Sequence, residues 1–174
     1  TNLRMTELQG ALLLSQMAKL EQRAKTRSEN ADYLTKLLRE IPGIMPARAY
    51  EGATRNAYHL YMFRYDPAQF ANLPRNKFIE AMAREGIGVS GGYGPLNKAE
   101  FIQNALNTRP YERVYGKKAI QEWPERNRCP ENDRLCAEAL WLGQTVFLGS
   151  RRDMDQIAEA VRKIHAYAPQ LAKA

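Results

Sequence analysis

Asn2 and Arg4 place an amide and a guanidinium two residues apart, directly ahead of Thr6 and Gln9. Thr6 can cap a helix start, and Gln9, three residues on, can return the bond; this is the spacing of a capping box. A capped helix start offers N–H donors and partial positive charge, so the chemistry available there is anion binding. An ordinary solvated helix start explains the same residues, helix starts being common and anion sites few. Elsewhere, His59 stands among Tyr58, Tyr61 and Phe63, where a histidine usually makes a structural hydrogen bond. No second ligand lies at strand or helix spacing from it, so it does not read as a metal site. Gly91-Gly92-Tyr93-Gly94 lacks the spacing of a P-loop or dinucleotide fingerprint, and no lysine–serine pair follows; it reads as a mobile loop. Cys129 and Cys136, without clustered histidines, make neither a zinc site nor a disulfide framework. Trp123 and Trp141 read as core or interface residues, and His165 as a cation near a helix C-terminus.

The elements that must position these residues follow from periodicity. Apolar residues from Leu8 to Leu38 recur at helical spacing with no proline between them. They predict one long helix, or two with a bend near Thr26–Ser28, ended by Pro42-Gly43. Residues 44–56 read as a loop. Tyr58–Tyr65 reads as a strand. Pro74 opens a helix through Phe78, Ile79 and Met82 that closes at Gly86. Ile87–Ser90 reads as a second strand, 97–132 as turn-rich with short helices, 131–140 as helix and 145–148 as a third strand. Ser150 and Asp153 cap a last helix with Met154, Ile157, Val161 and Ile164 on one face. Strands and helices in this order give a small α+β layer, an antiparallel sheet packed with helices beside a long helix.

Composition narrows the function classes. The chain has 174 residues, 44% hydrophobic and 26% charged, which is ordinary globular composition. No apolar run approaches a membrane span, and no basic-then-apolar signal pattern opens it. Two cysteines fit reduced thiols in a cytoplasmic protein. The net charge of +7 invites a nucleic-acid reading. However, Arg23, Lys25 and Arg27 alternate with neutral residues between Glu21 and Glu29, and Asp153 and Asp155 follow Arg151-Arg152. No basic stripe interleaves with aromatics, so solvated helix faces explain the charge and no nucleic acid is expected.

Four segments, in order, carry a resemblance to a known family. Asn2-Leu3-Arg4-Met5-Thr6-Glu7-Leu8-Gln9-Gly10-Ala11 resembles the Asn-aromatic-Arg-Met-Ser/Thr-Glu-Leu-Gln-Ala-Ala segment of the DegT/DnrJ/StrS sugar aminotransferases. Asn56–Arg64 resembles their small-domain strand. Glu85–Leu96 resembles their Gly-Ile-x-x-x-x-x-Tyr-x-Pro-Leu segment, and Ala139–Leu142 through Asp153–Ile157 their closing strand and helix. The resemblance implies the C-terminal portion of a pyridoxal-phosphate enzyme of the aspartate-aminotransferase fold. Residues 1–43 would be the helical segment joining large and small domains, and 44–174 the small α+β domain. The lysine that carries the cofactor would lie outside this chain, as would the large-domain segments that stack on the cofactor.

The resemblance also implies roles. Asn2 would reach the cofactor phosphate of the partner subunit in a homodimer, and Arg4 would serve the same mouth. His59 would shape the site entrance, and Tyr93 would face the substrate. Many sugar-nucleotide members have histidines where this chain has Gly92 and Asn97, and their loss removes two pH-sensitive groups. Gly-Gly-Tyr-x-Pro-Leu-Asn-Lys is closer to members acting on cyclitol ketones of the scyllo-inosose type. The implied parent reaction moves an amino group from glutamine or glutamate to a keto-cyclitol or a nucleotide-linked keto-sugar, with this chain inactive alone. The rival expectation is a standalone α+β interaction domain that catalyses nothing.

Overall fold

The computed structural model describes residues 4–173. The Thr6–Gln9 box forms as its spacing predicts: Thr6 N donates to Gln9 Oε1 at 2.9 Å, and Gln9 N donates to Thr6 Oγ1 at 3.3 Å. It starts α1 (Glu7–Met17), and α2 (Leu20–Arg39) follows. The break therefore falls at Ala18–Lys19, not near Thr26–Ser28. Thr26 lies inside α2 with its hydroxyl folded back onto the Gln22 carbonyl one turn earlier, at 3.1 Å, a bond the helix accommodates without breaking. Alanine and lysine are strong helix formers, so their types do not announce the break. α1 buries none of its residues, whereas α2 sends Leu34 and Leu38 into the core.

The sheet has three antiparallel strands in sequence order: β1 (Ile44–Pro46), β2 (Leu60–Tyr65) and β3 (Ala139–Gly143). Two expectations change here. The loop after Gly43 begins with a short edge strand, where Pro46 is tolerated at the end of the pairing with β2. The strand expected at 145–148 is a 3-10 turn, Val146–Leu148, closed by Leu148 N on the Thr145 carbonyl at 3.1 Å. β-Branched Thr145 and Val146 suggest strand, but the chain has already left the sheet at Gly143. Likewise, Ile87–Ser90 contributes a single bridge, Ser90 to Trp141, in place of a full strand.

α3 (Arg75–Arg84) begins after Pro74, and the turn after it passes through Gly86. The stretch expected to be turn-rich contains α4 (Glu100–Leu106), α5 (Arg109–Tyr115) and α6 (Lys117–Arg126), none with a buried residue. α7 (Pro130–Glu138) leads straight into β3, and α8 (Arg151–Lys173) closes the described fold. β2 alternates cleanly: Tyr61, Phe63 and Tyr65 face the core. There they meet Phe78 and Met82 of α3 and Met154, Ile157, Val161 and Ile164 of α8. Buried phenols find partners: the Tyr65 hydroxyl donates to the Leu73 carbonyl at 2.8 Å, and the Tyr61 hydroxyl lies 2.8 Å from Thr35 Oγ1. Burial pushes the Tyr61 phenol up to about 12, so it stays protonated and structural.

The start of α8 is fastened by the Ser150–Asp153 pair predicted from spacing. Ser150 N donates to Asp153 Oδ2 at 2.6 Å, the Ser150 hydroxyl donates to the same oxygen at 2.8 Å, and Asp153 N donates to Ser150 Oγ at 3.3 Å. The backbone donor of Ser150, then its hydroxyl, hold the Asp153 carboxyl below the usual value. A depressed carboxylate stabilises the fold above its unfolded pKa, about 4, and that contribution is lost as pH falls through the lower folded value. Asp153→Asn should therefore reduce stability at neutral pH and flatten the acid limb below about pH 4, where protonated aspartate no longer has the advantage. Urea unfolding across pH 2–7 checks this; parallel profiles for the two proteins would contradict it.

Candidate functional site

The alternation that sends Tyr61 and Phe63 inward sends Met62 and Arg64 outward. The β2–β3 register sets Met62 opposite Trp141, and the β1–β2 register sets Met45 opposite Arg64. These four side chains floor a cleft of about 770 Å³ on the sheet face away from the core. Leu135 and Cys136 of α7 form one wall, Tyr93 and Leu96 another, and Arg48 and Tyr50 stand at the β1 side. Such a volume suits a small-molecule ligand.

The loop from Gly91 to Pro95 is shaped around the indole of Trp141. Ser90 and Trp141 exchange two backbone hydrogen bonds, both 3.0 Å, and fix the root of the loop beside β3. Gly92 has φ +79, and a Cβ built on it would come within 3.0 Å of Trp141 Cζ3. A left-handed backbone against a ring admits glycine and little else. Tyr93 then folds over the indole, ring centroids 5.0 Å apart, with the tyrosine 76% exposed. The cleft thus presents an indole, a reachable phenol and two thioethers. Its charge is mostly spent locally: Arg64 pairs with Glu138, while Arg48 lies over the Tyr50 ring at 5.2 Å.

Of Asn2, Arg4, His59 and Tyr93, the residues given site roles by the resemblance, the cleft gathers Tyr93. His59 is exposed just before β2 and is absent from the cleft wall. It follows Tyr58, whose φ of +47 is held by an Asx turn, Tyr58 N donating to Asn56 Oδ1 at 2.9 Å. Arg4 is exposed ahead of α1, away from this wall, and Asn2 lies outside the described residues. Asn97 turns from the cleft to donate to the Asn127 carbonyl at 2.8 Å. Trp141, expected in a core or an interface, is half-buried on the cleft floor, outside the core. Period-two alternation through Ala139–Gly143, the segment that resembles a closing strand, sets Trp141 on the face opposite Leu140 and Leu142, while a helix over 131–140 overlaps only its first two residues. Among the described residues, no group of three or more His, Cys, Asp or Glu could hold a metal ion, and no helix is long and apolar enough to cross a membrane.

Comparison with known proteins agrees with this architecture. The model of the DegT/DnrJ/EryC1/StrS aminotransferase family matches residues 1–162. A Streptoalloteichus tenebrarius protein provisionally named L-glutamine:3-amino-2,3-dideoxy-scyllo-inosose aminotransferase is 33% identical over 167 residues, covering 94% of this chain and 40% of its own. The L-glutamine:2-deoxy-scyllo-inosose aminotransferase of Streptomyces kanamyceticus is 30% identical, covering 96% of this chain and 39% of its own. Among solved structures, 3-amino-5-hydroxybenzoic acid synthase superposes with a TM-score of 0.72 at 22% identity, over 95% of this chain and 40% of that one. The solved structure shares the fold, helices around a small antiparallel sheet, and the chain spans about 40% of the length of these relatives. The chain belongs to the DegT/DnrJ/EryC1/StrS aminotransferase family.

Proposed function

We propose that the chain is the C-terminal portion of a cytoplasmic, pyridoxal-phosphate-dependent aminotransferase that moves the amino group of glutamine or glutamate onto a keto-cyclitol of the scyllo-inosose type. In this reading residues 1–43 join the large and small domains and 44–174 form the small domain. The enzyme works as a homodimer, and the lysine that carries the cofactor lies outside this chain. A nucleotide-linked keto-sugar is the competing acceptor.

The residues present fit the phosphate end of the cofactor only. Arg4 and the positive end of capped α1 suit an anion. The ring end needs an acidic partner for its nitrogen, and Glu138 beside the cleft is already paired with Arg64. When bound, pyridoxal phosphate supplies the electron sink of the amino transfer. This chain's residues then bind and orient. Asn2 donates its amide to a phosphate oxygen across the dimer interface, and Arg4 adds charge at the same mouth. His59 shapes the entrance. Tyr93 offers a hydroxyl to a ring hydroxyl of the acceptor, and the indole of Trp141 accepts the acceptor's C–H face.

The observation that carries the acceptor class is the contact of Gly92 with Trp141. The positive φ and the crowding against the ring disfavour any side chain at position 92, an imidazole included, so the loop meets the ligand with neutral groups. A small polyhydroxylated ring needs no more, and the scyllo-inosose aminotransferases among the relatives agree.

The test uses the full-length enzyme with glutamine, offered 2-deoxy-scyllo-inosose or a nucleotide-linked keto-sugar. Amination of the cyclitol by at least tenfold higher kcat/KM supports the proposal; preference for the nucleotide sugar overturns it. In the same enzyme, Asn2→Ala should weaken cofactor retention about ten- to a hundred-fold, the equivalent of one hydrogen bond to a charged group, with saturating cofactor restoring most turnover. A hybrid of the Asn2→Ala subunit with one lacking the carrier lysine should contain one intact site if Asn2 acts across the interface. Unchanged activity after proven subunit exchange would refute that geometry.

A further inference from the structure

Arg75, the first residue of α3, belongs to no motif read in the sequence, yet it joins three separate segments. Its Nη1 donates to the carbonyls of Gly91 at 2.9 Å, Cys136 at 2.7 Å and Ala139 at 2.9 Å. Cys136 lies in the last turn of α7, where carbonyls have no partner within the helix and the helix dipole is negative. Ala139 is the first residue of β3 and Gly91 the first of the cleft loop. Among the described residues no carboxylate pairs with Arg75, and these three carbonyls are the hydrogen-bond partners of its side chain. From Gly91 to Gly94, the other hydrogen bond the structure gives the loop is local, Gly92 N to Ser90 Oγ at 3.4 Å.

We propose that Arg75 is the positioning residue of the Gly91–Pro95 loop. It ties the loop's first carbonyl to the α7–β3 junction, so Tyr93 is held over Trp141 before any ligand arrives. Arg75 reaches no ligand itself; it acts through Gly91. The significance of the loop rests on the proposed function, in which Tyr93 faces the acceptor. The cost of ordering the loop is then met during folding, and ligand binding does not have to meet it.

The test needs no ligand and uses this chain. Trp123→Phe leaves Trp141 as the single indole. In that background Arg75→Met, which keeps length and removes every donor, should make the Ser90 and Trp141 amides exchange about ten- to a hundred-fold faster, the factor for losing a charged hydrogen bond. Trp141 emission should shift to the red while the core amides of Phe63 and Leu142 keep their protection. Arg75→Lys, which keeps the cation, should restore most of the protection. Uniform acceleration of all amides, or none at Ser90 and Trp141, would overturn the proposal. NMR on the unmutated chain supplies a measurement that no folding defect can spoil: the Arg75 Nη1 protons should exchange and rotate slowly, and a freely rotating guanidinium would refute the assignment. In the full-length enzyme Arg75→Met should raise KM for the acceptor more than it lowers kcat, and Arg75→Lys should recover most of that KM. Because the exchange and NMR data involve no acceptor, a wrong acceptor class would leave them unchanged, and a mobile loop would leave the acceptor class unchanged.

Discussion

Phe78→Ala should cost about 3–5 kcal/mol, the usual penalty for emptying a buried aromatic site. Phe78 is fully buried on α3, 4.6 Å from the Tyr65 ring centroid and edge-on to Phe70 at 5.5 Å. The three rings join β2, the 3-10 turn Pro67–Phe70 and α3. His165 of α8 also meets Phe70 edge-on, at 4.8 Å, so α8 leans on the same cluster. Rigid rings from separate elements cannot collapse into a void without moving the elements, which puts this site toward the upper end of the range. Against a typical domain stability of about 5–15 kcal/mol, the loss removes a large share of the folded population's advantage. Tyr65→Phe is the milder companion: it keeps the ring and leaves the Leu73 carbonyl unpaired, costing about 1–3 kcal/mol. Phe101→Ala, at 63% exposure, should stay within about 0.5 kcal/mol. Urea unfolding of the three variants gives the order directly. A Phe78→Ala cost below that of Tyr65→Phe would mean that the aromatic cluster is not the centre of the core.

Gly43→Ala should be nearly as damaging, for a different reason. Gly43 has φ +84, and an added Cβ would lie 2.6 Å from Gln69 Cβ and 3.0 Å from the Asp66 carbonyl oxygen. Left-handed backbone costs a non-glycine residue about 1–2 kcal/mol, and forced overpacking adds about 1–3 kcal/mol. The Gly43 carbonyl also receives Asp66 N at 2.8 Å, so a shift that relieves the clash loosens the tie between Gly43 and the end of β2. Gly86 provides the control. Its φ is +81, but nothing lies within 4 Å of its would-be Cβ, so Gly86→Ala should cost only the backbone share. Equal losses at the two positions in denaturant unfolding would show that the crowding at Gly43 is relieved without cost.

These two sites differ in how openly the sequence announces them. Pro42-Gly43 is an overt stop signal, and the alternation of Tyr61, Phe63 and Tyr65 is an overt strand signal, because each depends on neighbours in the chain. The Ser150–Asp153 cap and the apolar face of α8 are local in the same sense. The break at Ala18–Lys19 involves two good helix formers, so composition hides it. β1 is three residues long and ends in proline, too short for periodicity to register. The 3-10 turn after Thr145 looks like strand because β-branched residues favour strands, while the chain's exit from the sheet is decided by tertiary packing. At the site, Tyr93 was marked by resemblance. Alternation gives the face of Trp141, but its partner Met62 follows only from the β2–β3 register, and Arg75 acts through carbonyls of residues far along the chain, which no spacing rule reaches.

The path from β2 to β3 has a further consequence for how such a chain varies. Arg64 and Ala139 are direct partners although α3 through α7 lie between them. Within that detour α4, α5 and α6 bury nothing and mainly touch one another. Lengthening a closed loop is inexpensive, each doubling adding only about 0.6 kcal/mol of entropy. The detour can therefore grow, shrink or change sequence with little strain on the sheet it bridges, while its ends remain anchored at Leu96 and α7, two walls of the cleft. The sheet and the cleft walls stay constant, and the helical detour between them is the part left free to diversify.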